Sequence, residues 1–309
     1  QEMDKVFYNQ ASEEKLGWEP YWFGARQNDE ECVDAIAEWQ TENGITADGM
    51  CGPSTYRRIW TEREEDISSN VIYHIGPHNG NHPNASKFII HNGHFYPIDW
   101  DVVLWDNPSA LAANYGTFYD YSGKEDRKPT FFVNHWDVCL SSRSCSKILD
   151  KRGISVHFCI DNDGTIHQLL DTQHAAWHAG GKEWNHKSIG VEISNAFYPK
   201  YQDHYVRNGF GPRPLIKGAV VHGNKVEDHL GFYPIQLQAA QALWKAISEV
   251  HDIPLEYPKD KDGRLDTGLN KECASGDFNG FCNHYNLTKR KIDCAGMKLD
   301  RLINEVKDG

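Results

Sequence analysis

Hydrophobic and polar residues change their spacing along the chain, and the first distinct pattern is helical. One helical face is indicated by residues that recur three or four positions apart: Val33, Ile36, Ala37 and Gln40. Turn residues follow at positions 43–44 and 48–49. Pro53 then suits the first turn of a second helix, because its missing N–H costs nothing there. The pattern predicts a compact helical hairpin.

From residue 129 onward, short apolar runs alternate with helical patterns. Strands are indicated by "PTFFVNH", by "SVHFCIDNDGTIHQLL" with a turn at 163–164, and by "SIGVEISNA". Helices are indicated by "SCSKILDKRG" and by "PIQLQAAQALWKAISEVHDI", which carries an apolar stripe. The alternation predicts an α/β domain with a mixed central sheet flanked by helices.

The region between these two patterns is less regular. A segment rich in Gly, Asn, His and Pro at 76–86 is typical of a linker, and a hairpin turning at Asn92-Gly93 follows it. We therefore expect three parts: a small all-helical N-terminal domain at 1–65, a linker and hairpin extension at 66–128 that packs on the main domain, and the α/β domain at 129–309.

Composition and charge narrow the function. The chain has 309 residues and a formal net charge of −12, which argues against binding of duplex nucleic acid because phosphate contacts need a basic face. No apolar run approaches the roughly 20 residues that span a bilayer, so membrane insertion is not expected. Eight cysteines, an even number with some close spacings, favour a few disulfide bonds in an exported protein, with an all-thiol cytosolic protein as the alternative. Cys32 and Cys51 flank the turn of the helical hairpin, where a disulfide bond would fix it.

Candidate metal ligands lie far apart in the sequence. His135 follows the apolar run 131–133, and His284 is followed by Asp293 and Cys294. Catalytic zinc takes three protein ligands from His, Asp, Glu or Cys and leaves a fourth position for water. By spacing alone this set is weak evidence, since a lone histidine in a loop is usually solvated.

Two stretches of the sequence resemble known families. The segment "WQTENGITADGMCGPSTYRRI" resembles the small three-helix peptidoglycan-binding module of cell-wall hydrolases. Four ordered blocks resemble the zinc-dependent N-acetylmuramoyl-L-alanine amidases, a family that includes phage amidases, bacterial muropeptide amidases and peptidoglycan recognition proteins: "FFVNH", "SVHFCIDNDGTIHQ", "AAWHAG…WNHKSIGVEISN" and "NHYNLTKRKIDCAG".

The amidase resemblance implies a zinc site formed by His135, His284 and a third ligand that stays open between two neighbours. The muropeptide branch has "RKTDPG" where this chain has "RKIDCAG", which favours Asp293 and assigns the functional lysine to Lys291. The phage and recognition branches use a cysteine, which would select Cys294. The separation between His284 and Asp293 is one residue shorter than in the muropeptide enzymes.

The same resemblance implies further roles. Glu192, on a strand otherwise flanked by apolar residues, matches the general base. Lys291 would stabilise the oxyanion of the tetrahedral intermediate. Trp177 and His178 look like residues of the substrate cleft, although for Trp177 core packing is favoured. Cys139 and Cys145 match the short disulfide bond of peptidoglycan recognition proteins.

Together these expectations describe a peptidoglycan hydrolase. It would use Zn²⁺ to cut the amide between N-acetylmuramic acid and L-alanine, as a phage endolysin or a secreted lytic enzyme that acts on the cell wall or outside the cell. The alternatives are a recognition protein that binds muropeptides without cutting them and a virion structural component of the same fold.

Overall fold

The computed structural model describes residues 4–68, 85–107 and 110–309, with the side chains of 66–68 excepted. The segment predicted as a linker, 76–86, falls almost entirely outside these residues. The helices, in chain order, are α1 (Lys5–Leu16), α2 (Glu30–Glu42), α3 (Pro53–Ser68), α4 (Ser142–Arg152), α5 (Lys182–Lys187), α6 (Gln202–Arg207), α7 (Pro234–His251), α8 (Lys271–Ser275), α9 (His284–Leu287) and α10 (Leu299–Asp308).

The strands are β1 (Ser86–His91), β2 (His94–Leu104), β3 (Phe118–Tyr119), β4 (Phe131–Trp136), β5 (Phe158–Ile160), β6 (Ile166–Gln168), β7 (Ala175–Ala176), β8 (Ser188–Ile193), β9 (Leu215–Ile216), β10 (Val220–Val221), β11 (Asn224–Lys225), β12 (His229–Leu230) and β13 (Gly280–Asn283). Among the described residues, seven strands form the main sheet in the order β1-β2-β6-β5-β8-β4-β13. Strands β5, β8, β4 and β13 run parallel, whereas the β1–β2 and β5–β6 pairs are antiparallel. The sheet is therefore mixed, as predicted.

Helices cover both faces of the sheet because its central strands are apolar on both sides. On one face, Phe132, Val191 and Ile193 pack in a single hydrophobic cluster with the stripe of α7, including Leu243 and Trp244. Helix α10 completes that layer. On the other face, α4 packs beside β8 and β5, with Ile148 and Leu149 in a cluster with Cys159. The result is a three-layer α/β domain.

The hairpin predicted at Asn92-Gly93 is part of the main sheet. Both turn residues have positive φ, 49° and 71°, which is the backbone that a two-residue hairpin needs and that Gly93 adopts without strain. Strand β2 then pairs in parallel with β6, so the hairpin extends the sheet by two strands. Region 66–128 thus contributes Ile89, Ile90 and Val102 to the main core.

The N-terminal segment is helical, as predicted, and α3 begins at Pro53. Their apolar faces do not form a separate core. Trp18, Ile36, Tyr56 and Ile59 belong to the same hydrophobic cluster as residues of α4 and its neighbours. The helical part is therefore packed directly onto the α/β part.

The two predicted disulfide bonds are not formed in this structure. All eight cysteines of the chain are buried free thiols. Cys145 lies in the same buried cluster as two other thiols, Cys139 and Cys159. Cys32 and Cys51 are fully buried in the apolar contact between the helices.

No helix within the described ranges is both long enough and apolar enough to span a membrane.

Candidate metal centre and active site

Two neighbouring strands deliver the histidines. β4 and β13 run parallel, and Asn134 pairs in register with Asn283. Each asparagine is followed by a histidine, so His135 and His284 leave the sheet side by side at the same edge. Topology thus joins two residues that are 149 positions apart in the sequence.

Asp293 completes a group of three. The Nδ1 atoms of His135 and His284 are 2.9 Å apart, and Asp293 Oδ2 lies 3.2 Å from the first and 3.1 Å from the second. All three residues are buried. Cys294, the alternative third ligand, instead points into the main hydrophobic core and is fully buried there.

The three atoms fit a cation. Ligands at about 2 Å from a tetrahedral zinc ion would lie about 3.3 Å from one another, close to the spacing found. Two imidazole nitrogens and a carboxylate oxygen are also the donor chemistry of catalytic zinc sites. The residues His135, His284 and Asp293 therefore suit a bound divalent metal ion, and Zn²⁺ in particular.

The protonation of this group favours metal binding. Burial, assisted by repulsion from His284, lowers the pKa of His135 to about 4. Burial alone would raise the pKa of Asp293, but attraction and hydrogen bonds from the two histidines outweigh it and hold that pKa well below its usual range. At neutral pH the site thus presents a neutral imidazole and a carboxylate, the forms that bind metals.

His178 supports the first ligand from behind. Its Nδ1 lies 3.0 Å from His135 Nε2, and its Nε2 lies 3.0 Å from Ser188 Oγ. Ser188 in turn donates to the carbonyl of Trp184 at 2.6 Å. The chain of contacts fixes the ring of His135, a common arrangement around metal-binding histidines. His178 also lines the cavity, whereas Trp177, its predicted companion in the cleft, packs edge-on against Tyr119 and does not.

Glu192 faces the same space. Its backbone on β8 pairs in register with His135 on β4, and its side chain is buried. Burial is the main cause that raises the pKa of Glu192 well above its usual value. Its Oε2 has no hydrogen-bond partner among the residues that the structure describes.

A cavity of about 390 Å³ joins these groups, and Lys291 lies on its wall. Further cations line it that the sequence did not single out: Arg57, Arg58, Arg152 and Arg290. Arg57 and Arg58 belong to the N-terminal helix α3, so no motif of the α/β domain could have indicated them. The cavity thus carries several positive charges in a protein whose net charge is −12.

A second buried group was also not predicted as a unit. One ligand atom each from Asp137, Cys139 and Cys145 lies within 4.8 Å of the others. Asp137 Oδ1 accepts hydrogen bonds from the backbone N–H groups of Cys139 and Asn195, each at 2.9 Å. This carboxylate therefore shapes the loop that follows β4, behind the metal centre.

The fold and the site define a mixed α/β protein with a buried His-His-Asp group able to hold a metal ion beside a buried glutamate. A family model described as N-acetylmuramoyl-L-alanine amidase matches residues 125–293, and the chain belongs to this family.

Individual relatives are more distant. A curated Rickettsia conorii protein that carries the name of an N-acetylmuramoyl-L-alanine amidase is 38% identical over 80 residues, which are 23% of this chain and 29% of that protein. The match thus spans less than a third of the relative's length. The amidase LysC from Clostridium intestinale URNW overlaps with a TM-score of 0.38 at 15% identity, covering 65% of this chain and 99% of LysC.

A substrate complex of AmiD from E. coli overlaps with a TM-score of 0.30 at 22% identity, covering 45% of this chain and 54% of AmiD. These structural overlaps are low, and family membership rests on the sequence match over residues 125–293.

Proposed function

We propose that this protein is a zinc-dependent peptidoglycan hydrolase that cuts the amide between N-acetylmuramic acid and L-alanine. The observation that carries the proposal is the convergence of His135, His284 and Asp293 with Glu192 in one cavity. Membership in the amidase family supports the choice of bond. The substrate class, muropeptides and peptidoglycan, follows from that bond.

His135, His284 and Asp293 would hold the zinc ion. Bound zinc would polarise the substrate carbonyl and lower the pKa of water toward about 7. The chain itself contributes the carboxylate of Glu192, which accepts a proton from the attacking water and returns it to the leaving amine of L-alanine. Burial raises the pKa of Glu192 well above its usual value, which makes this carboxylate a stronger proton acceptor than an exposed one.

Lys291 has a separate role in this proposal. Its ammonium group would stabilise the negative charge that develops on the amide carbonyl oxygen. The lysine is exposed at the cavity wall, where substrate would cover it. His178 holds His135 in orientation, and a contact with the peptide stem stays a prediction for this residue.

The proposal also places the protein where its substrate is. Peptidoglycan is a cell-wall polymer, so we propose that the protein acts at the cell wall, as a phage endolysin or as a secreted lytic enzyme. The motif at 39–59 supports binding of the wall by the helical part. Fractionation of producing cells, with the protein found only in the cytosol of uninfected cells, would contradict this placement.

The function is tested on purified peptidoglycan. The zinc-loaded protein should release new N-terminal L-alanine, chelation should stop the release, and added Zn²⁺ should restore it. Protein that contains zinc and binds peptidoglycan without exposing new L-alanyl N-termini would instead be a recognition protein, and the hydrolase proposal would fail.

A further inference from the structure

Helix α3 of the N-terminal part lies across the α/β domain next to the active site. Trp60 Nε1 donates to Ser144 Oγ at 3.2 Å, and Thr61 Oγ1 donates to the carbonyl of Val138 at 2.8 Å. Thr61 is almost fully buried in this contact. Polar bonds of this kind fix one orientation of the helix on the domain.

Ion pairs add to the same interface on its solvent side. Lys200 Nζ lies 2.7 Å from Glu62 Oε2, and Arg207 pairs with Glu65. Exposed pairs contribute little each, so the shared hydrophobic cluster and the buried polar bonds dominate the docking. The helix is therefore held rigidly rather than tethered.

The N-terminal end of α3 forms a wall of the catalytic cavity. Pro53, Ser54, Arg57 and Arg58 line the same space as His135 and Glu192. The cavity is thus enclosed by residues from both parts of the chain. A catalytic domain cut at residue 65 would lack this wall.

Arg57 is the residue of α3 that faces the proposed base. Its Nη2 lies 3.9 Å from Glu192 Oε1, with side-chain exposures of 16% for Arg57 and 7% for Glu192. The other carboxylate oxygen, Oε2, has no hydrogen-bond partner within the described ranges. One oxygen of Glu192 therefore faces a fixed cation, and the other is left for a proton.

We propose that helix α3 completes the catalytic cleft and that Arg57 is a positioning residue, which holds the carboxylate of Glu192 for proton transfer. This inference rests on the proposed amidase function. Arginine suits the role because its guanidinium group is planar, permanently charged and rigid. A general base must lie within hydrogen-bond reach of its proton, so a rotated carboxylate loses catalysis without losing substrate binding.

The first test separates turnover from binding. Arg57→Met and Arg57→Lys are compared with the wild type on a soluble muramyl tripeptide, with zinc content measured in each protein. We expect Arg57→Met to lower kcat by about 100-fold with KM changed by less than about twofold. Arg57→Lys keeps the charge and should recover part of kcat.

Lys200→Met is the matched control. It removes an exposed cation of the same interface that does not line the cavity, and it should leave kcat and KM as in the wild type. A raised KM with unchanged kcat in Arg57→Met would make Arg57 a substrate contact and overturn the positioning role. Wild-type kinetics in Arg57→Met would overturn the inference entirely.

A second measurement does not depend on activity. Urea midpoints are recorded for the wild type, Arg57→Met, Glu192→Gln and the double variant, all without metal. If the two residues interact, Arg57→Met should shift the midpoint more in the wild-type background than in the Glu192→Gln background. Equal shifts overturn the contact.

The two measurements also distinguish a failure of the proposed function from a failure of the inference about Arg57. A wild type that frees no peptide with an N-terminal L-alanine from muramyl tripeptide refutes the proposed function, while the urea cycle still decides whether Arg57 holds Glu192. An active wild type with additive midpoints refutes the inference and leaves the proposed function intact.

Discussion

His135 on β4 and Glu192 on β8 are register partners on two adjacent parallel strands. Residues paired in this way project from the same face of a sheet, so the proposed metal ligand and the proposed base have a fixed separation. Both are interior strands of the main sheet, with a neighbour on each side. The geometry between ligand and base is thus set by backbone hydrogen bonds rather than by a loop.

Substitution of the base tests that geometry. Glu192→Gln keeps the size of the side chain but removes the proton acceptor, so we expect hydrolysis of peptidoglycan to fall by about 100-fold or more. Zinc content should stay at the wild-type level, because Glu192 is not one of the three clustered ligands. A variant that retains full activity would exclude Glu192 as the base.

Substitution of two adjacent residues, Asp293 and Cys294, tests which of them is the third metal ligand. Asp293→Ala removes the carboxylate that contacts both histidines, and the purified protein should lose most of its zinc. Cys294→Ala removes a thiol in the hydrophobic core and should retain zinc while it loses some stability. Metal analysis of both proteins decides the point, and the opposite pattern would assign the ligand to Cys294.

Stability of the metal-free protein should depend on pH through His135. In the unfolded chain a histidine takes up its proton near pH 6.5, whereas the buried side chain does so only near pH 4. Between these values the unfolded state binds more protons, so this residue destabilises the fold as the pH falls from about 6.5 to about 4. The full effect is on the order of 3 kcal/mol.

Urea unfolding at pH 7 and pH 4.5 measures this effect against His135→Gln. Burial also raises the pKa of Asp137, Asp161 and Glu192, so the quantity to compare is the difference between the two proteins. The wild type should lose more stability than His135→Gln on acidification. Equal losses would show that His135 is protonated normally in the folded protein.

A substitution at Gly190 tests whether His178 supports the proposed ligand His135. A Cβ atom at Gly190 would lie 2.4 Å from His178 Nδ1, and the ring has no room to move because it contacts His135 and Ser188. Gly190→Ala should cost about 1–3 kcal/mol of stability and weaken zinc binding by roughly 10- to 100-fold. Gly268→Ala is the control, since its nearest neighbour would be 3.6 Å away. Thermal unfolding and a zinc titration are the measurements, and unchanged zinc affinity would contradict a supporting role of His178.

Much of the fold was predictable because local patterns decide it. The start of α3 at Pro53, the Asn92-Gly93 turn and the strand that ends at His135 all follow from spacing and turn chemistry. Pairing between strands could not be predicted in this way. Nothing in the residues of β2 indicated that it would add to the sheet beside β6, since that choice depends on long-range packing.

The candidate site divides in the same way. The resemblance indicated His135, His284 and Glu192, and left Asp293 and Cys294 as alternatives that only side-chain direction separates. Arg57 could not be found from sequence, because its proximity to Glu192 depends on how one part of the chain docks on another. Cys139 and Cys145 were predicted as a pair and lie in one buried cluster, and the presence of a third thiol there, Cys159, is not shown by sequence spacing.

The hydrophobic cluster that joins α1–α3 to α4 limits which N-terminal units could replace these helices. Ile148, Leu149 and Val156 are covered by the N-terminal helices, so a catalytic part separated from them would expose this apolar surface to water. A substitute N-terminal unit from another protein would have to match that surface in shape. Units joined by flexible linkers can be exchanged without changing a core. In this protein the exchange would require redesign of the shared hydrophobic cluster.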